Sequence, residues 1–378
     1  MNKTAKLGLV ASLFAGAALA PAAATADDGR VHYNGGTRIE FADFDLKLNV
    51  QLQPRYSYTD TDVENRTNNG VAAGVDSSSF DQRRSRLVLS GNTHGQEFSY
   101  KLQYDFASAA GGGELKDAYL KWNTSDTLGI TFGQFKQPIG REQRVSSQNL
   151  YFTERSRNSN GYTTGRAQGA MASLALSDTA NLNIAINNGE STGEGQNLPG
   201  ADNKVQAVFG FDWECGNFGS RGVQGDFREN GDLGVTAGAS VAYGEGTNAL
   251  GDFDKTDVTV DAAVRTGGLE VGAEYFRTET EVDGIATEPE DTGFDVLALY
   301  NISDNLGTGL RFGYTDPDST VEGIAVDDIT EYSFVINYFL DGHSLKLQNN
   351  FTFEVISPDA GSDDITDFRY DLQLSAYF

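Results

Sequence analysis

Apolar residues in this chain alternate with polar ones instead of gathering into long runs. In LKLNVQLQ, Leu46, Leu48, Val50 and Leu52 are separated by Lys47, Asn49, Gln51 and Gln53. A period of two with one apolar and one polar face describes a strand lying between two media. The four runs FDQRRSRLVLSGN, FSYKLQYDF, KDAYLKWN and ITFGQFKQ, which follow from Phe80 onward, read the same way. So do Met171 to Leu176, Leu182 to Ile186, Val205 to Trp213, Leu233 to Tyr243, Val258 to Arg265 and Leu269 to Phe276. The series continues through Phe294 to Tyr300, Leu306 to Tyr314, Tyr332 to Phe339, Leu345 to Phe353 and Phe368 to Phe378. Strands facing hydrocarbon must pair every backbone N–H and C=O among themselves, which they achieve only by closing the sheet. The pattern therefore predicts an all-β fold, a transmembrane antiparallel β-barrel of sixteen strands. A soluble two-sheet protein, the alternative, would turn its large aromatics inward.

The connections support closure. Short ones, such as His94-Gly95-Gln96, Thr266-Gly267 and Asp341-Gly342, interleave with long polar ones, such as Glu279 to Asp291, Thr315 to Asp328 and Ile356 to Thr366. Short turns at one rim and long loops at the other describe an up-and-down barrel. Thr59 to Ser79 is expected to be a long exposed loop, and Pro54 a bulge or the end of the first strand's pairing. One connection breaks parity: Glu214 to Gly231, which contains the single cysteine Cys215, runs to eighteen residues where a short turn is due. It is either an insertion or a sign that a strand pair has been miscounted.

At the N-terminus, Lys3 and Lys6 precede an apolar core from Leu7 to Ala20 and the small residues Ala24-Thr25-Ala26, the pattern of a secretory signal cleaved after Ala26. The expected organisation is a signal peptide at 1–26, a periplasmic lead at 27–44 and a barrel at 45–378. Without Lys3 and Lys6 the formal charge of −26 becomes −28, which repels nucleic acid.

Against that background Phe80 to Arg166 stands out, with twelve Lys or Arg against eight Asp or Glu. Alternation sends Ser85, Leu87 and Leu89 outward, and Arg84, Arg86, Lys101, Asp105, Asp117 and Lys121 to the polar face. The stretch ends in about thirty residues without strand period, Gln137 to Arg166, carrying Arg141, Arg144, Arg155, Arg157 and Arg166. Sixteen strands enclose a bore too wide to be filled by their own side chains. An inward constriction loop at about 137–166 is the expected means of narrowing it. Cations on a narrow pass favour anions, and the arginine fork suits oxyanions. The plainer possibility is that these cations neutralise Asp105, Asp117, Glu142 and Glu154; the cation excess favours the anion path.

The run FDQRRSRLVLSGN, FSYKLQYDFA, LKDAYLKW, ITFGQFKQPIGRE and SSQNLYFTER resembles the phosphate-selective porin O and P family of Gram-negative outer membranes. The resemblance implies a sixteen-stranded homotrimeric porin passing phosphate-like anions along arginines and a central lysine cluster. Arg83 and Arg84 match the family's paired arginines, with Arg84 expected on the lumen side; Asp105 and Lys121 match central residues. The final strand carries Tyr370, Leu372, Leu374, Ala376 and Phe378 on one face. Its aromatic terminus resembles the signal read by the barrel-assembly machinery. A general, weakly selective porin, or an adhesin or structural barrel in outer-membrane lipid, is the alternative.

Enzymatic activity is not expected: His32, His94 and His343 lie in a lead or in turns, away from any serine they could activate. Asp254, Asp291 and Asp316 to Asp318 lack the spacing of a calcium loop. No cofactor or metal is implied.

Overall fold

The structure, a computed structural model, describes residues 30–68, 74–107, 113–189, 205–228, 231–248, 251–282, 289–318, 325–359 and 363–378. The signal peptide and its cleavage site lie outside these residues.

A hairpin of β1 (Arg30–Tyr33) and β2 (Thr37–Glu40) precedes sixteen long strands. These are β3 (Asp45–Asp60), β4 (Ser77–Thr93), β5 (Phe98–Asp105), β6 (Glu114–Asn123), β7 (Leu128–Lys136), β8 (Arg166–Ser177), β9 (Ala180–Asn187) and β10 (Gln206–Gly216). They continue with β11 (Gly234–Asn248), β12 (Gly251–Thr266), β13 (Leu269–Val282), β14 (Glu290–Ser303), β15 (Leu306–Asp316), β16 (Val326–Asp341), β17 (Leu345–Pro358) and β18 (Ile365–Tyr377). Each pairs antiparallel with the next, and β18 returns to β3 with Leu372 opposite Tyr56 and Ala376 opposite Leu52. The terminal Phe378 seals the seam: its N–H donates to the Val50 carbonyl at 3.1 Å and its carbonyl accepts from the Val50 N–H at 2.7 Å. No edge is left in the barrel wall, as hydrocarbon requires.

The usual inside and outside are exchanged. Asn49, Gln51 and Gln53 are buried, as are Asp371, Gln373 and Ser375, while Trp122, Phe132, Phe209, Tyr275, Phe334 and Leu374 are exposed on the outer wall. The alternation thus puts its polar half inside, the order expected when lipid rather than water surrounds the barrel.

Pro54 lies within β3, and the register slips there. With no N–H to donate, proline interrupts the ladder and the partner strand gains a residue. The expected loop at 59–79 is shorter than the sequence suggests. β3 runs to Asp60, β4 starts at Ser77, and the short helix α1 (Val63–Asn68) is tied to β18 through an Arg66–Asp367 ion pair. The irregular connection begins after Gly216, since Cys215 belongs to β10. It is an insertion and hides no strand pair, because β9, β10 and β11 pair in unbroken register.

Residues 137–165 leave the wall and cross the lumen, with helices α2 (Arg141–Arg144) and α3 (Arg157–Gly161) on the way. Two apolar clusters seat this loop. Ile139 packs with Ala185, Val208 and Ala242, and farther along Tyr151 and Phe152 enter a recess of Leu297, Leu299, Val335 and Phe339. Two wall glycines allow the approach. A Cβ at Gly210 would strike the Pro138 carbonyl, and one at Gly307 would meet the Tyr151 hydroxyl. That hydroxyl instead donates to Asn301 Oδ1 at 2.7 Å.

Candidate functional site: a basic cavity beside the inward loop

The slip at Pro54 determines which arginines enter the lumen. Gln53 faces Arg84 and Pro54 faces Gln82, so Arg83 is the extra residue of a bulge. Strict alternation would point Arg83 away; the bulge lets both Arg83 and Arg84 reach Glu154 of the inward loop. Arg84 Nη2 donates to Oε2 at 3.0 Å, and Arg83 Nη2 to the same oxygen at 3.1 Å. Arg55 joins them, donating to Glu154 Oε1 at 2.8 Å and to Asp81 at 2.8 Å. Burial opposes ionisation of Glu154, but Arg84, Arg83 and Arg55 override it and hold the carboxyl well below the usual range.

Other cations line the same side. Arg86 Nε donates to Asp105 at 2.6 Å and its Nη1 to Ser147 Oγ at 3.0 Å. Arg166 Nε and Lys101 Nζ share Asp117 at 2.6 and 2.7 Å. Lys136 Nζ donates to the carbonyls of Gln143, Arg144 and Val145 at 2.9, 3.1 and 2.7 Å. Arg155 donates to the carbonyls of Glu142 and Val145 at 3.1 and 2.6 Å. Burial, aided by Arg166 and Arg86 and opposed by Glu142 and Glu154, brings the Arg155 guanidinium down to about 10, still charged at neutral pH. Carbonyls, rather than carboxylates, hold Lys136 and Arg155 in place.

These groups surround an open cavity of about 1110 Å³ between β3–β8 and the loop. Among the described residues, nine basic side chains line it (Arg55, Arg83, Arg84, Arg86, Lys116, Lys136, Arg155, Arg166 and Arg369) against four carboxylates, Asp81, Asp105, Glu114 and Glu154. In water-filled space that excess attracts small anions and repels small cations.

Of the residues singled out from sequence, Arg83, Arg84, Arg86, Asp105, Arg155 and Arg166 meet at this cavity. Lys101 stands behind it through Asp117. Arg141, Arg144 and Arg157 turn the other way, to Glu270, Asp212 and Glu354. Lys121 lies against Gly129, outside the cavity lining. Carboxylates on distant strands redirect the three arginines, and spacing within 80–166 carries no information about them. Arg55, Lys116, Lys136 and Arg369 are site residues that sequence reasoning misses. Arg55 is detectable in principle, since it shares the parity of Gln51 and Gln53, but it lies beyond Pro54, where the alternating pattern breaks. Arg369 lies on the polar face of the last strand. Leu372, Leu374 and Ala376 are on the outer side of that strand, with Phe378 exposed beside them.

A closed barrel with an inward loop and a polar lumen has the architecture of an outer-membrane porin, a diffusion channel. Residues 48–309 match the family model of the phosphate-selective porin O and P, and the chain belongs to that family. No curated protein matches it by sequence comparison. The solved structures it resembles include the outer membrane channel DcaP of Acinetobacter baumannii, at 18% identity and TM-score 0.62 over 90% of this chain and 99% of that one. They also include Salmonella typhi OmpF in complex with daunomycin, at 14% identity and TM-score 0.58 over 92% and 100%. The in-vitro folded trimer form of Vibrio cholerae OmpT matches at 12% identity and TM-score 0.54 over 89% and 100%. At such identities the likeness is one of fold.

Proposed function

We propose that the protein passes small anions, phosphate-like oxyanions among them, by diffusion along the basic cavity. The observation that carries this reading is the ratio of nine basic side chains to four carboxylates around the opening, in a chain whose overall charge is −26. Arginine forks at its wall match the geometry of an oxyanion and offer paired donors. Tight binding would slow transit, and the existing carboxylate partners of Arg84 and Arg86 limit it. The protein is exported by a signal cleaved near Ala26, inserted by the barrel-assembly machinery through the strand ending at Phe378, and works as a homotrimer in outer-membrane lipid. A general, weakly selective porin is the second reading, favoured by the extent of ion pairing around Glu154 and Asp105.

Reversal potentials in a salt gradient, in chloride and in phosphate, decide between them. Anion preference is expected, and Arg83→Gln with Lys116→Gln should move the zero-current potential toward cations. A wild-type channel that passes potassium as readily as chloride overturns the anion reading.

A further inference from the structure

The connection after Gly216 folds into the barrel and meets the constriction loop from the other rim. Bonds from the barrel wall hold its backbone in place. Arg265, projecting from β12, donates to the carbonyls of Phe218 and Ser220 at 3.0 and 3.1 Å and to that of Val223, with its guanidinium 4.1 Å from the centre of the Phe218 ring. The Gly225 N–H donates to Glu270 Oε2 at 2.7 Å. Gln224 joins the two inward segments: its amide oxygen accepts from the Tyr151 N–H at 2.7 Å and its amide nitrogen donates to Glu142 Oε1 at 3.0 Å.

What the segment covers is acidic. Asp212 and Asp261 project from β10 and β12 and share Arg221 of this segment, at 3.2 and 2.7 Å. Glu270 is fully buried under Gly225, Arg141 and Arg265. The lumen therefore has two unlike halves. The basic half along β3–β8 is open, while the carboxylate half along β10–β13 is filled by two segments bonded to each other.

We propose that the segment 217–228 is a selectivity plug, which seals the carboxylate-lined half of the pore so that ions cross only beside the basic wall. This rests on the channel reading above and accounts for how a strongly acidic barrel presents a basic passage. A pore with both halves open would offer a second, parallel route where Asp212, Asp261, Glu270 and Glu274 outnumber Arg141, Arg144 and Arg265, since Arg221 leaves with the segment, and that route would carry cations.

The test compares three channels in planar bilayers under a potassium chloride gradient: wild type, a plug-less variant with residues 218–227 replaced by Asn-Gly, and the full-length Arg221→Ala/Gln224→Ala variant. Folding of each is checked by heat-modifiable migration. Opening the second route should raise the conductance of the plug-less variant about twofold, as for two parallel paths of similar bore, and move its reversal potential toward cations. The double substitution should move the potential in the same direction by less. Unchanged conductance and potential in a folded plug-less channel, or a shift toward anions, overturns the proposal. If that variant does not fold, an unchanged potential in the double variant overturns it instead. The plug stands or falls on the difference between channels, whereas a wild type without anion preference defeats only the basic-path reading.

Discussion

Glu154→Gln separates the two roles of one side chain. Glu154 accepts from Arg55, Arg83 and Arg84, so neutralising it removes the shared partner of three guanidinium groups without changing shape. Breaking a buried pair from one side costs about 3–5 kcal/mol. Glu154 and Arg83 retain 26% and 40% of their side-chain exposure, so the loss should fall below that range, at about 2–3 kcal/mol once solvent screening is allowed for. Electrostatics at the cavity move the opposite way, because the same nine basic side chains now face three carboxylates. One charge about 8 Å from a permeating ion in water contributes about 0.5 kcal/mol, of opposite sign for anion and cation. The selectivity ratio should therefore rise about fivefold unscreened, and about twofold at 0.1 M salt, where the Debye length is about 10 Å. The assays are the thermal midpoint in detergent and the reversal potential at two ionic strengths. A less stable barrel with greater anion preference, the gain being larger at low salt, is expected. A potential that stays fixed while stability falls would show that Glu154 does not face the ion path, and would refute the placement of the passage.

Tyr151→Ala empties the recess between Leu297, Val335 and Phe339 and should cost about 3–5 kcal/mol of loop seating; single-channel records should show large conductance fluctuations with barrel yield retained. Gly307→Ala should produce the same fluctuations by obstructing the Tyr151 hydroxyl. His343 is held neutral by burial, with Lys346 and Arg265 nearby, its proton affinity well below that of an ordinary histidine. It contacts the Gln224 carbonyl at 2.7 Å and Lys346 Nζ at 2.8 Å. A depressed value means that its contribution to stability is full above the unfolded value of about 6.5 and declines as pH falls below that. Thermal stability should drop with acidification from about pH 6.5, and less so in His343→Asn. Deleting Phe378 removes the two bonds to Val50 and should lower the yield of heat-modifiable barrel.

The family, the sixteen strands, the inward loop and the polarity of the lumen were legible in sequence, because each follows from local information. Alternation fixes which side of a strand meets lipid. A thirty-residue break in that rhythm, rich in arginine, has no other place in so wide a bore. The pairing of the cations was not legible. Arg141 and Arg144 share the loop with Arg155 and look equivalent in the chain, yet Glu270 and Asp212 draw the first two to the far wall while Arg155 stays at the opening. Those carboxylates lie some seventy to one hundred and thirty positions away. Only closure of the barrel brings them within reach, since electrostatic partners are chosen by distance in space. Pro54 shows the same division on a smaller scale. Its missing N–H was evident from the residue alone, but that the slip would place Arg83 beside Arg84 on Glu154 depended on the strand and the loop it faces.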